Sequence, residues 1–122
     1  MPLLRPLDPA FPIDRQLAAD ATPGVLASLA TPDKADEPRF LGAGQDDAAF
    51  MKRQPGFIST QLHRAIGDST TYVNYAVWES TAHYRTAFTH PEFKAGLAAY
   101  PSSVVATPHL FQKVAVPGIC AA

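Results

Sequence analysis

From Thr70 to Trp78 the chain alternates in the way a strand does. Tyr72, Asn74, Ala76 and Trp78 fall on one side, and Thr71, Val73, Tyr75 and Val77 on the other. The run is dense in β-branched and aromatic residues, which suit a pleated surface. Phe57 to Arg64 reads as a second strand just upstream, and Ile66-Gly67-Asp68-Ser69 between them is a hairpin turn signal. A short turn makes the two antiparallel neighbours. An earlier strand is expected over Val25 to Ala30, and a last one over His109 to Val116, closed by Pro117-Gly118.

Between these strands the period changes. From Asp36 to Arg53 the apolar residues Phe40, Leu41, Ala48, Ala49, Phe50 and Met51 recur at helical spacings. Gly42 and Gly44 weaken that helix, each by about 1 kcal/mol relative to Ala. Gln54-Pro55-Gly56 ends it. Ser80 is placed to cap a helix running through Phe88. A second helical piece opens at Pro91, its first position, and stops at Pro101. Val104 and Val105 fall in a connection. The order is β-α-β-β-α-β, the split βαβ pattern of a ferredoxin-like α+β fold with an antiparallel sheet. Helices cover one sheet face. The other is left apolar and bare, which implies a partner, most simply a second copy.

Residues 1–22 form a proline-rich arm, and residues 23–122 the domain. Pro2, Pro6, Pro9 and Pro12 argue against helix or central strand at the start of the arm. Asp14 to Asp20 has room for about two helical turns at most. The arm is read either as packing along the surface or a partner, or as a loose tail.

Composition narrows the function. A chain of 122 residues, 47% hydrophobic, makes one domain with a core. The formal charge is -1 and no Lys/Arg run builds a cationic stripe, so nucleic acid and anionic membrane surfaces are not expected partners. The prolines and Asp8 break any signal-like apolar run, and no segment is long enough to span a bilayer. Cys120 stands alone, which excludes an internal disulfide and a cysteine-rich zinc site. A cytoplasmic protein is the expectation. His83 and His90 lack the spacing of a metal pair. Neither a phosphate-binding glycine loop nor a nucleophile elbow is present.

Chemistry is expected on the strand ending at Trp78. An amide and an indole on one face each need a hydrogen-bond partner when buried. Asn74 and Trp78 could aim at one ligand; equally, Asn74 pairs with a neighbouring side chain and Trp78 simply packs. His63 ends the preceding strand, near the first half or middle of its neighbour, as a proton acceptor or an ordinary surface histidine. In the following helix Tyr84 points toward the sheet and Arg85 is more exposed. Tyr84 is a proton carrier if its phenol is acidified, and otherwise a packing aromatic.

Gln54-Pro-Gly-Phe-Ile-Ser-Thr-Gln-Leu-His63 and Val73-Asn-Tyr-Ala-Val-Trp-Glu-Ser80, followed by Tyr84-Arg85, resemble the signature of the antibiotic biosynthesis monooxygenases. The resemblance covers roughly residues 24–116, and within the family it is nearest to quinone-forming members. It implies a dimeric α+β barrel, and a small phenolic or quinol substrate oxidised by molecular oxygen without flavin, haem or metal. It also implies that Asn74, Trp78, Tyr84 and His63 carry the catalysis, with Tyr72, Phe88 and Arg85 against the substrate. Two departures stand out. The quinone-forming members carry an arginine late in the second helix, where this chain has Gly96-Leu97-Ala98 with only Lys94 nearby. The glycines of the first helix replace a Trp- and Ala-rich run. Ala87 and Leu97 occupy the positions where haem-degrading relatives have a tryptophan and a ligating histidine, so haem chemistry is not expected. The rival class is a non-catalytic ligand-binding or stress-related protein on the same scaffold. A cavity reached by Asn74, Trp78 and Tyr84 favours the enzyme over a filled core.

Overall fold

The computed structural model describes residues 1–122. Its elements in chain order are β1 (Leu3–Leu4), α1 (Ile13–Gln16), β2 (Gly24–Thr31), α2 (Glu37–Lys52), β3 (Phe57–Arg64), β4 (Tyr72–Trp78), α3 (Thr81–Phe88), α4 (Pro91–Gly96) and β5 (Val105–Phe111). Single 3-10 turns precede α2 and follow α4. The sheet order is β1-β5-β2-β4-β3, with every neighbour antiparallel except the added β1–β5 pair. The β-α-β-β-α-β core is the expected ferredoxin-like α+β arrangement.

Local chemistry explains the boundaries. Ser80 Oγ accepts from the His83 backbone N–H and caps α3. His90 caps α4 in the same way, accepting from Glu92, with Pro91 at the first helical position. Both histidines considered for a metal pair therefore serve helix ends. The turn before β3 holds Gly56 at φ +85°, where a Cβ would collide with the His83 ring at 2.2 Å, so only glycine fits.

One expectation is corrected, and one left open is decided. The last strand runs over Val105–Phe111, earlier than His109–Val116. Pro108 lies inside it, at a position where the backbone faces the open edge of β5, beyond the two residues of β1, so its missing N–H breaks no pairing with β2. Of the two readings of the arm, packing along the surface holds. Leu3 and Leu4 pair with Val105 and Ala106. The one turn of α1 places the Gln16 side chain to bond both the N–H and the C=O of Leu110, at 2.8 and 2.9 Å. The arm thereby satisfies an edge that would otherwise stand open.

The core divides in two. One cluster packs Leu17, Leu26, Phe50, Ala76, Trp78, Tyr84, Ala87 and Leu110 between helices and sheet. A smaller one packs Phe40, Tyr72 and Val104. On the far side of the sheet Leu29, Tyr75 and Phe111 remain about two-fifths exposed, so part of that face is apolar and open, although Val25 and His109 on it are buried. No helix is long and apolar enough to cross a membrane.

Candidate active site

A cavity of about 370 Å³ lies between the sheet and α2 and is lined by members of both core clusters. That volume suits a small organic ligand. Tyr72, Asn74, Ala76 and Trp78 all line it, as the strand alternation requires. Ser28 on β2 and Leu62 on β3 stand directly opposite Asn74, and the lining also includes Thr60 and Tyr84.

Each polar group has a defined state. Thr60 Oγ1 donates to Asn74 Oδ1 at 2.6 Å, which fixes the amide and leaves its N–H groups unspent. Trp78 is 1% exposed, yet its buried Nε1 has no hydrogen-bond partner. A donor in that state costs about 1–3 kcal/mol unless something supplies an acceptor. Its ring meets Phe57 and Tyr84 edge-on, at 5.4 and 5.6 Å between centroids. Burial pushes the Tyr84 phenol well above the ordinary tyrosine range. Tyr84 is therefore a neutral hydroxyl, a hydrogen-bond donor rather than an acidified proton carrier.

Three expected site residues lie elsewhere. His63 pairs with Val73 and faces the uncovered side of the sheet. The cause is a bulge at Ile58: Phe57 opposes Trp78, but Ser59 then opposes Val77. A regular hairpin continued from the Phe57–Trp78 pair would bring His63 opposite Tyr72, on the cavity face. One extra residue reverses the pleat, turning Thr60 and Leu62 inward and His63 out. Arg85 also leaves the site; its guanidinium donates to the Leu17 carbonyl at 2.6 Å and ties down the arm. Phe88 does not line the cavity but packs between Tyr84 and Phe93, buttressing Tyr84 from behind.

The sequence reading missed two acids here, Asp47 in the cavity wall and Glu37 outside it, bonded to the wall residue Tyr72. Tyr72 donates to Glu37 at 2.7 Å, and Arg64 holds the same carboxylate at 2.9 Å. The Arg64 hydrogen bond, then that of Tyr72, keeps Glu37 below the usual carboxylate range. Asp47 and Tyr100 also line the cavity, with the Tyr100 hydroxyl donating to Asp47. Pro2 of the arm joins the wall. Nothing local in the sequence marks Glu37 and Asp47, because their partners Arg64, Tyr72 and Tyr100 lie 27, 35 and 53 positions away.

Comparison with known proteins decides the family. Residues 25–99 match the family model described as antibiotic biosynthesis monooxygenase. The chain belongs to the antibiotic biosynthesis monooxygenase family. A 46-residue stretch is 44% identical to deoxynogalonate monooxygenase of Streptomyces nogalater. That match spans 38% of this chain and 39% of the relative's length. The fold resembles the crystal structure of SnoaB, a cofactor-independent oxygenase from Streptomyces nogalater, with TM-score 0.72 and 26% identity over 80% of this chain and 99% of that one. A Pseudomonas aeruginosa protein shares the fold at TM-score 0.63 and 17% identity, over 78% of this chain and 97% of that one. The arm, residues 1–22, lies outside the part matched to the antibiotic biosynthesis monooxygenase model.

Proposed function

We propose that the chain is a homodimeric monooxygenase that oxidises a small phenolic or quinol-type aromatic with molecular oxygen, without an organic cofactor or metal. The observation that carries this reading is a mostly apolar cavity of about 370 Å³ walled by Trp78, whose buried N–H has no partner in the chain, and by the half-committed Asn74 amide. Such donors suit the oxygens of a flat aromatic whose rings occupy the apolar remainder. Family membership and the description of SnoaB as cofactor-independent support the reaction class.

In this reading the Asn74 and Trp78 donors hold substrate oxygens, and the neutral Tyr84 hydroxyl donates to an oxygen as negative charge builds on it. The substrate phenolate passes one electron to oxygen, and the phenoxyl–superoxide pair joins as a ring peroxide. Loss of water, with the ring hydrogen leaving as a proton, gives the quinone. Overall, a phenol and one molecule of oxygen become a quinone and one molecule of water. The protein contributes position and charge stabilisation. Tyr72 lines the substrate space, while Phe88 and Arg85 support it from outside. The exposed apolar face around Leu29, Tyr75 and Phe111 supports pairing with a second copy.

The test is oxygen uptake with electron-rich phenols and quinols. Uptake is expected to fall at least tenfold in Trp78→Phe and Asn74→Ala, and less in Tyr84→Phe. Turnover unchanged in all three would remove these residues from the reaction. Saturable phenol binding with no oxygen consumption would favour the non-catalytic binding protein.

A further inference from the structure

The oxygenase reading leaves one step without an agent. A phenol must lose its proton before it can reduce oxygen efficiently, and neither residue first considered for that task can act as base. His63 faces away from the cavity, and Tyr84 keeps its proton. The other ionisable side chains of the wall are Asp47, Tyr72 and Tyr100; no His, Lys or Arg lines it. Burial is the main cause holding Tyr72 and Tyr100 protonated as well. Asp47 is thus the one carboxyl group of the wall.

Its setting is specific. Tyr100 Oη donates to Asp47 Oδ2 at 2.5 Å. That hydroxyl lies beside Gly44, another wall residue, 3.8 Å from where a Cβ would stand. The other oxygen, Oδ1, sits against Gly96, where a Cβ would come within 3.0 Å, so the glycine leaves it room. Because Tyr100 commits its only proton to Asp47, the free lone pairs of its oxygen can accept a hydrogen bond from a ligand hydroxyl.

We propose that Asp47 is the final acceptor of the substrate's phenolic proton, delivered through Tyr100; this rests on the oxygenase reading. The substrate O–H bond breaks as Tyr100 Oη takes the proton, and the Tyr100 O–H bond breaks as Asp47 Oδ2 takes its own. No electrons change hands. The products are a substrate phenolate, a neutral tyrosine and a neutral aspartic acid. The stored proton can then return to the peroxide anion formed after oxygen adds.

The surroundings suit a base of this kind. Burial raises the Asp47 carboxyl, the Tyr100 hydrogen bond offsets part of this, and Asp46 on the same helix adds to the rise. A base poised nearer neutrality is the more effective one. Of the charged groups on elements packed against α2, Glu92 on α4 is bonded to Arg53, and Arg64 on β3 is committed to Glu37. The others are Lys94 on α4, Lys34 and Asp36 just before α2, the His90 ring against Phe50, His63 on the far face of β3, and the Met1 ammonium on the Tyr100 carbonyl.

The experiment is the pH profile of kcat/KM for oxygen uptake with an electron-rich quinol. The parent is expected to lose activity in acid, with an apparent pKa above that of an ordinary carboxylate. Asp47→Asn should lower neutral-pH kcat/KM roughly 100-fold, erase the acid limb, and recover as the pH approaches the substrate's own ionisation. Tyr100→Phe should lose at least tenfold and recover in the same way. Thermal melts separate this from misfolding, because removing a carboxyl whose ionised form burial disfavours should leave Asp47→Asn melting no lower than the parent. If the parent consumes oxygen and Asp47→Asn keeps its rate and acid limb, the relay is wrong and the oxygenase reading stands. A loss equal at every pH, with a lowered melt, makes the pair structural and overturns the relay. A parent that consumes no oxygen with any phenol or quinol overturns both.

Discussion

At the scale of residues, the candidate site leaves hydrogen-bond capacity unspent. Asn74 has one side of its amide fixed by Thr60 and the other open. Trp78 keeps a buried donor with no acceptor in the chain, a standing cost of about 1–3 kcal/mol that a ligand oxygen would offset. In the proposed reaction Thr60 is therefore a positioning residue, although nothing in its type suggests one. Thr60→Val removes the hydroxyl that holds the amide while keeping shape. It should lower kcat/KM about fivefold, the equivalent of one ordinary hydrogen bond near 1 kcal/mol, with the melting temperature little changed. Steady-state oxygen uptake and a thermal melt on the same sample check both halves.

At the scale of elements, charged side chains add directional ties between segments that already share the core. Glu37 at the start of α2 joins β3 through Arg64 and β4 through Tyr72. The folded state holds its carboxyl low, chiefly through the Arg64 hydrogen bond. Such a group gives its full contribution above the ordinary carboxylate range and loses it as the pH falls through the depressed folded value. Glu37→Gln should accordingly melt lower than the parent at neutral pH, and the two curves should converge in strong acid. Arg85 plays the same part for the arm, holding the Leu17 carbonyl beside the buried Leu17 side chain. Arg85→Met keeps most of the alkyl stem but removes a charged donor, so urea unfolding should show a loss of about 1.5–3 kcal/mol. Its kcat/KM should suffer less than that of Trp78→Phe, since Arg85 lies outside the cavity wall.

At the scale of the whole molecule, the sheet separates two tasks. One face carries the cavity; the other exposes Leu29, Tyr75 and Phe111 in an apolar field that a single chain leaves in water. If that field is the surface of a homodimer, stability must rise with protein concentration. Tyr75→Glu, placed mid-face, should shift sedimentation toward the monomer and remove the concentration dependence of the melt. A parent that sediments as a monomer at micromolar concentration would exclude the dimer.

Much of this architecture was legible along the chain because it depends on near neighbours. The alternation of β4, the turn after β3, the Ser80 cap and Pro91 at a helix start are set by residues within a few positions of one another. So was the shared face of Asn74 and Trp78. What escaped depends on counting across strands or on partners distant in sequence. One extra residue at Ile58 reverses the pleat and carries His63 out of the site. Pro108 is admissible in β5 only because its nitrogen meets an open edge. Asp47 and Tyr100 stand 53 positions apart, and Arg64 and Glu37 stand 27 apart. The amino-acid order determined which elements form and which side chains share a strand face, since backbone geometry repeats locally. Only the folded sheet decided which way each face turns and which acids meet which phenols, because register and helix docking are fixed by burial summed over the whole domain.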